Sequence, residues 1–214
     1  MCIRDRYLVT TRVLDTHLRS AQPHMSGWVV AIVCYQPFFS LISRQYLFYN
    51  NEMYWGGWLE ASPTLRVAWG VVLLLTLVVF SGTTIGFGCR FSNLTNRGVI
   101  TDGFYRWTKH PAYVSKLISF WMMFVPFVYR GSLYDVARDC FWLAVLSLIY
   151  WARAKTEEIH LSEDPDYVRY ATAMNERSIF ARVGRVLPFL RYEPPAGQTS
   201  EEAPSELGSP ATDA

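Results

Sequence analysis

Three long uncharged stretches constrain this chain more than anything else in it. Residues 27–43 form a run of 17 and residues 67–89 a run of 23, while residues 111–129 form a run of 19 interrupted by Lys116 alone. A bilayer core about 30 Å thick is crossed by roughly 20 apolar residues at about 1.5 Å each, so all three runs read as spanning helices. A fourth run, residues 140–152, has 13 residues and is too short by the same arithmetic. It spans only if its helix also carries residues 133–139, with Arg138 and Asp139 at the interface. The fold expected is all-α: a polytopic integral membrane bundle of about four transmembrane helices with a cytoplasmic helical segment after the last.

Sorting the 20 Lys and Arg residues by segment orients the bundle. Four precede the first run, two lie between the first and second, and four between the second and third. Two more separate the third from the fourth, and seven follow it, from Arg153 to Arg191. Alternate sides thus hold 15 against 4, with Lys116 inside the third run. The positive-inside rule makes both termini and the second loop cytoplasmic. Residues 90–110 and 153–191 then lie on one face of the membrane, where they can meet. An integral membrane location, the bacterial inner membrane with the site facing the cytoplasm, is the expectation.

The remaining bulk features are mostly exclusions. A net charge of +2 gives nothing that points to nucleic acid. Cys2, Cys34, Cys89 and Cys140 show no metal or redox spacing. Cys34 and Cys140 read as small apolar groups in lipid-buried helices. The sequon Asn93-Leu94-Thr95 falls on the cytoplasmic side and reads as coincidence. Residues 1–26 contain no signal peptide and read as an interhelical loop or surface helix, with Arg12, Asp15 and Arg19 on its polar side. Such a start also fits a chain whose upstream helices are missing. Residues 27–192 form the membrane domain. Residues 193–214, with no aromatic residue and a single Leu, cannot bury a core and are expected to be disordered.

Two segments could carry chemistry. In residues 98–111, GVITDGFYRWTKHP, the Asp102-Gly103 pair signals a short hairpin or tight turn. His110 precedes a proline and is biased away from helix, whereas Pro111 suits the first helical position. Lys109 and His110 would then flank the positive end of the third span, an arrangement that favours a carboxylate or phosphate. An ordinary juxtamembrane anchor built of Trp107, Lys109 and Tyr113 has the same composition. In residues 153–161, RAKTEEIHL, Arg153, Glu157 and Leu161 share one helix face with Glu158 beside them. Adjacent carboxylates there could hold a cationic ligand or a ribose, or form only a solvated Arg153–Glu157 pair. Asp164-Pro165-Asp166 reads as a turn or helix start, and Tyr167 and Tyr170 face the same way, onto a core or the membrane surface. Lys116, about 8 Å into its span, is read as snorkelling to the headgroups rather than lining a polar cavity.

Taken together, the segment from Gly103 to Tyr113 (GFYRWTKHPAY) and the later Arg153-Glu157-Glu158-Leu161 pattern resemble the isoprenylcysteine carboxyl methyltransferase and phospholipid methyltransferase superfamily. The resemblance covers residues 98–188, a little under half of the chain. It implies a membrane-embedded helical enzyme that binds S-adenosylmethionine on the cytoplasmic side and methylates a lipid-borne or hydrophobic acceptor entering sideways from the bilayer. The family's histidine-proline segment matches Lys109, His110, Pro111 and Tyr113, and its glutamate pair matches Glu157 and Glu158, all cofactor-binding by implication. The later tyrosines match Tyr167 and Tyr170, and the closing Arg-x-x-Pro matches Arg185 to Pro188. Arg153 is the candidate for positioning an anionic acceptor by bidentate pairing. The donor's carboxylate would suit Lys109 and His110, and its cationic part Glu157 or Glu158; no metal is implied. Ser115 stands where the family usually has glycine, Lys109 replaces the commoner arginine, and Phe104 follows Gly103 where proline is frequent. Two alternatives remain: an NADPH-dependent membrane reductase of similar helical arrangement, and a non-catalytic membrane subunit.

Overall fold

The computed structural model describes residues 17–35, 37–42, 55–88, 94–127 and 132–195. The described residues are mostly helical. In order the helices are α1 (Met25–Val33), α2 (Phe38–Ile42), α3 (Trp55–Trp58), α4 (Pro63–Gly86), α5 (Pro111–Phe124), α6 (Leu133–Leu161), α7 (Pro165–Arg177) and α8 (Ala181–Val186). The longer helices α4 to α6 fall on apolar runs. Single 3-10 turns at Gly103–Arg106 and Pro188–Leu190 complete the helical elements described.

Among the described residues, one helix is long and apolar enough to cross a membrane. It is α4, whose 24 residues rise about 36 Å and whose surface is almost entirely outside the protein core. Proline at its start suits the helix entry, since its missing N–H would have no intrahelical partner there. Two of the other expected spans are shorter or interrupted. The first run becomes α1 and α2, nine and five residues long, because Pro37 cannot continue the hydrogen-bond ladder of α1. The third run is helical for 14 residues, about 21 Å, and stops at Val125 in the left-handed region with φ 41°. Pro126 is the reason, since the residue before a proline is pushed out of the right-handed helical region. The fourth run does sit inside a longer helix that carries residues 133–139: α6 has 29 residues, about 44 Å. At its start Arg138 pairs with Asp135 at 3.1 Å and Asp139 at 2.9 Å.

The N-terminal stretch departs from expectation more sharply. Residues 1–16 lie outside the described residues, but Ser20–Ala21 is a strand (β1), not a surface helix or loop. It pairs antiparallel with Thr95–Asn96 (β2), in the register Ser20 to Asn96 and Ala21 to Thr95. The tail expected to be disordered lies outside the described residues from 196 onward.

Packing explains how α4, α5 and α6 are held. Ser115 and Ser119, four apart on α5, are buried, and small residues at this spacing let helices approach closely. The Ser119 hydroxyl meets that of Thr76 on α4 at 2.7 Å, and Trp69 donates its indole N–H to the Met122 carbonyl at 3.0 Å. Phe124, Leu143, Leu146 and Tyr150 form the core between α5 and α6. The turn at Gly103–Arg106 rides on α4, with the Phe104 ring against Gly82, where any added Cβ would lie 2.6 Å from the ring. Gly103 itself has φ +61°, which glycine adopts without penalty, so Asp102-Gly103 makes a tight turn rather than a hairpin. A second core of Tyr167, Val168, Ala171 and Tyr192 fixes α7 against the segment after the 3-10 turn at Pro188–Leu190.

Candidate functional site

The loop before α5 and the last turns of α6 come together around one cavity of about 380 Å³. That volume lies in the range of small-molecule sites, which are mostly apolar with a few convergent polar groups. His110 caps α5 in a non-helical conformation, φ −127° and ψ 59°, and Pro111 takes the first helical position. The next residues, Ala112, Tyr113 and Lys116, face the cavity. Tyr150, Arg153, Glu157 and Leu161 face it from α6, recurring at helical spacing down one stripe. Phe80, Thr84 and Phe87 close it from the end of α4, and Tyr167 and Tyr170 from α7.

The charged residues pair across the two segments. Glu158 Oε1 lies 2.8 Å from Lys109 Nζ and 3.0 Å from His110 Nε2, while Oε2 lies 2.9 Å from Lys155 Nζ. Burial by itself would raise the Glu158 carboxyl. The His110 hydrogen bond and the charges of His110 and Lys109 overcome it and hold the group at about 2. Burial pulls the Lys109 ammonium below the ordinary lysine range, against the opposing influence of Glu158. Tyr192 roofs this cluster: Lys109 Nζ is 5.5 Å from its ring centre, and its hydroxyl meets Ser162 Oγ at 2.7 Å. Lys155 also donates to the Arg191 carbonyl at 2.7 Å. Thus the carboxylate that meets the positive end of α5 is the chain's own Glu158.

Glu157 is placed differently. Its Oε2 accepts the Tyr113 hydroxyl at 2.8 Å, and it is the one acidic residue among those lining the cavity. Arg153 is buried rather than solvated, hydrogen-bonded to Tyr113 and donating to the Gly27 carbonyl at 3.4 Å. A solvent-screened Arg153–Glu157 pair is therefore not what forms. Asp164 caps α7 by accepting the Asp166 N–H at 3.0 Å, the helix start that Asp-Pro-Asp signals. Tyr167 and Tyr170 face a core, with Tyr170 donating to the Tyr105 carbonyl at 2.7 Å. The Tyr167 hydroxyl is buried on the cavity wall with no hydrogen-bond partner among the described residues. Burial raises it well above the ordinary tyrosine range, so it stays a donor.

Several wall residues lie where the sequence alone did not place them. Lys116 does not snorkel: its Nζ lies in the cavity, 4.6 Å from the Tyr150 ring centre. Cys34 is not lipid-buried but lines the cavity beside Tyr35, and Arg97 to Ile100 form another wall. Ser115, in contrast, is buried between helices with its hydroxyl on the Pro111 carbonyl at 2.7 Å, and is not on the cavity wall. The N-terminal strand backs the site from outside. Ser20 Oγ meets His160 Nε2 at 2.9 Å, and Gln22 donates to the Thr156 carbonyl at 3.1 Å. Trp107, of the anchor reading, is exposed, and its carbonyl accepts the Ile179 N–H at 3.0 Å.

No family model, curated protein or solved structure matches the chain at a significant level.

Proposed function

We propose that this chain is an integral membrane methyltransferase that uses S-adenosylmethionine and acts on a lipid-borne or hydrophobic acceptor, its site facing the cytoplasm. The observation that carries the reading is the meeting of the His110–Tyr113 and Arg153–Glu158 segments around one cavity, joined by the Glu158–His110 and Glu157–Tyr113 contacts. The exposed apolar surface of α4 supports a bilayer setting.

The cavity's donor set fits the cofactor. A zwitterion with a sulfonium and a ribose needs an anion, cations and neutral hydrogen-bond donors within one apolar space. Glu157 offers the anion, Lys109 a cation and His110 a hydrogen-bonding ring, both shared with Glu158, and the orphaned Tyr167 hydroxyl a donor. Pro111 and Tyr113 shape the wall between them. When bound, S-adenosylmethionine supplies a methyl group activated by its positive sulfur. The chain's own contribution is to hold, orient and exclude water, which is where most of the acceleration of a two-reactant displacement arises. The Arg153 guanidinium, engaged by Tyr113 and the Gly27 carbonyl, holds the wall beside Glu157.

Titrating the detergent-solubilised full chain with S-adenosylhomocysteine tests this. Saturable binding is expected, and it should be lost in His110→Ala and Glu157→Ala. A folded wild-type chain that binds no S-adenosylhomocysteine, or binds NADPH instead, refutes the reading.

A further inference from the structure

Among the described residues, four cations line the cavity, Arg97, Lys109, Lys116 and Arg153, with one carboxylate, Glu157. Arg97 has a partner of its own. Lys109 is answered by Glu158 just behind the wall, and Arg153 is engaged with Tyr113 and the Gly27 carbonyl. Lys116 differs from both. Its contacts among the described residues are three aromatic faces, Tyr150 at 4.6 Å, Phe120 at 5.7 Å and Phe80 at 6.0 Å. Ring faces steady a cation without neutralising it, and a cation withdrawn from water without a counter-charge is costly. Its position adds to this. Lys116 lies one turn, roughly 5 Å, further along α5 than Ala112 and Tyr113, and about 9 Å of helix rise beyond His110. Around it the lining is apolar and aromatic.

We propose that Lys116 anchors the anionic head of an amphiphile, a carboxylate or a phosphate, whose apolar body occupies the Cys34, Phe80 and Tyr150 end of the cavity. Lys116, rather than Arg153, is then the group that selects an anionic ligand here. Its ammonium donates to the head while the aromatic faces fix its direction. Naming this ligand as the methyl acceptor rests on the methyltransferase reading above, but the subsite itself does not.

The test compares three twelve-carbon probes, dodecanoate, dodecyl phosphate and dodecanol, by calorimetric titration of the full chain in a neutral detergent. At least one anion should bind about ten-fold or more tighter than the alcohol, since a charge-assisted hydrogen bond separates them. The tighter of the two anions names the head. Lys116→Met should reduce that preference to within about two-fold while leaving dodecanol binding unchanged, which also reports that the cavity is folded. Lys116→Arg should keep the preference. Equal binding of all three probes to the wild type overturns the proposal, as does a preference that survives in Lys116→Met and so belongs to Arg97 or Arg153. A chain that binds S-adenosylhomocysteine without preferring either anion overturns the subsite alone; the opposite pair of results overturns the cofactor reading alone.

Discussion

Replacing Glu158 with glutamine tests whether the two site-forming segments are held together by charge. The substitution keeps the side chain's size and leaves an amide that can still hydrogen-bond, so what it removes is the anion facing Lys109, His110 and Lys155. A carboxyl moved from 4.5 to about 2 by its surroundings corresponds to roughly 3 kcal/mol, at about 1.4 kcal/mol per pH unit. Deleting one partner of a buried pair costs about 3–5 kcal/mol, because the other charge stays buried without compensation. The two figures agree, and at roughly 2–4 °C per kcal/mol for a chain of this size the midpoint should fall by about 6–12 °C at pH 7. The sign of the pH dependence follows from the direction of the shift. The folded carboxyl titrates below the unfolded one, so its stabilisation is complete above pH about 4.5 and is lost as the pH falls through about 2. Thermal unfolding in a neutral detergent, followed by circular dichroism from pH 7 down to pH 2.5, should show the gap between wild type and Glu158→Gln narrowing below pH 4.5. A gap under about 1 kcal/mol at neutral pH, or one that does not change with acid, would refute the idea that this carboxylate is the electrostatic joint.

Two further substitutions probe the wall and the core. Tyr113→Phe removes the hydroxyl given to Glu157 at 2.8 Å and should cost about 1.5–3 kcal/mol in thermal unfolding, with weaker S-adenosylhomocysteine binding in the same preparation. Leu143→Ala, in the fully buried layer between α5 and α6, should cost about 2–5 kcal/mol, whereas its exposed neighbour Phe141→Ala should change the midpoint far less.

The apolar runs and the proline and glycine punctuation were legible because they act locally. Pro111 and Asp164-Pro165 start helices wherever they occur, and Asp102-Gly103 makes a turn from its own backbone preferences. The uncharged 23-residue run likewise becomes α4 because its composition allows little else. Residues 90–110 and 153–191 were expected to meet, and of the described residues Thr95 to His110 and Arg153 to Tyr170 contribute to one cavity. Helix ends were less legible: run lengths overstated α1 and α5, where Pro37 and Pro126 interrupt stretches that hydrophobicity alone would continue.

What only the tertiary structure decided is which groups answer one another. Lys109, His110, Glu157 and Glu158 could be named from spacing, but spacing cannot tell a carboxylate held for a ligand from one held by the chain. Folding gives Glu158 to Lys109 and His110 and leaves Glu157 on the cavity wall with Tyr113. The pairing of Ser20–Ala21 with Thr95–Asn96, and the turn of Lys116 towards Tyr150 instead of the membrane surface, likewise have no local cause. Each depends on a partner far away in sequence, and such partners become neighbours only when the helices pack. The sequence thus determined where the site's residues lie along α5 and α6, and tertiary packing determined which of their charges are spent inside the protein and which face the cavity.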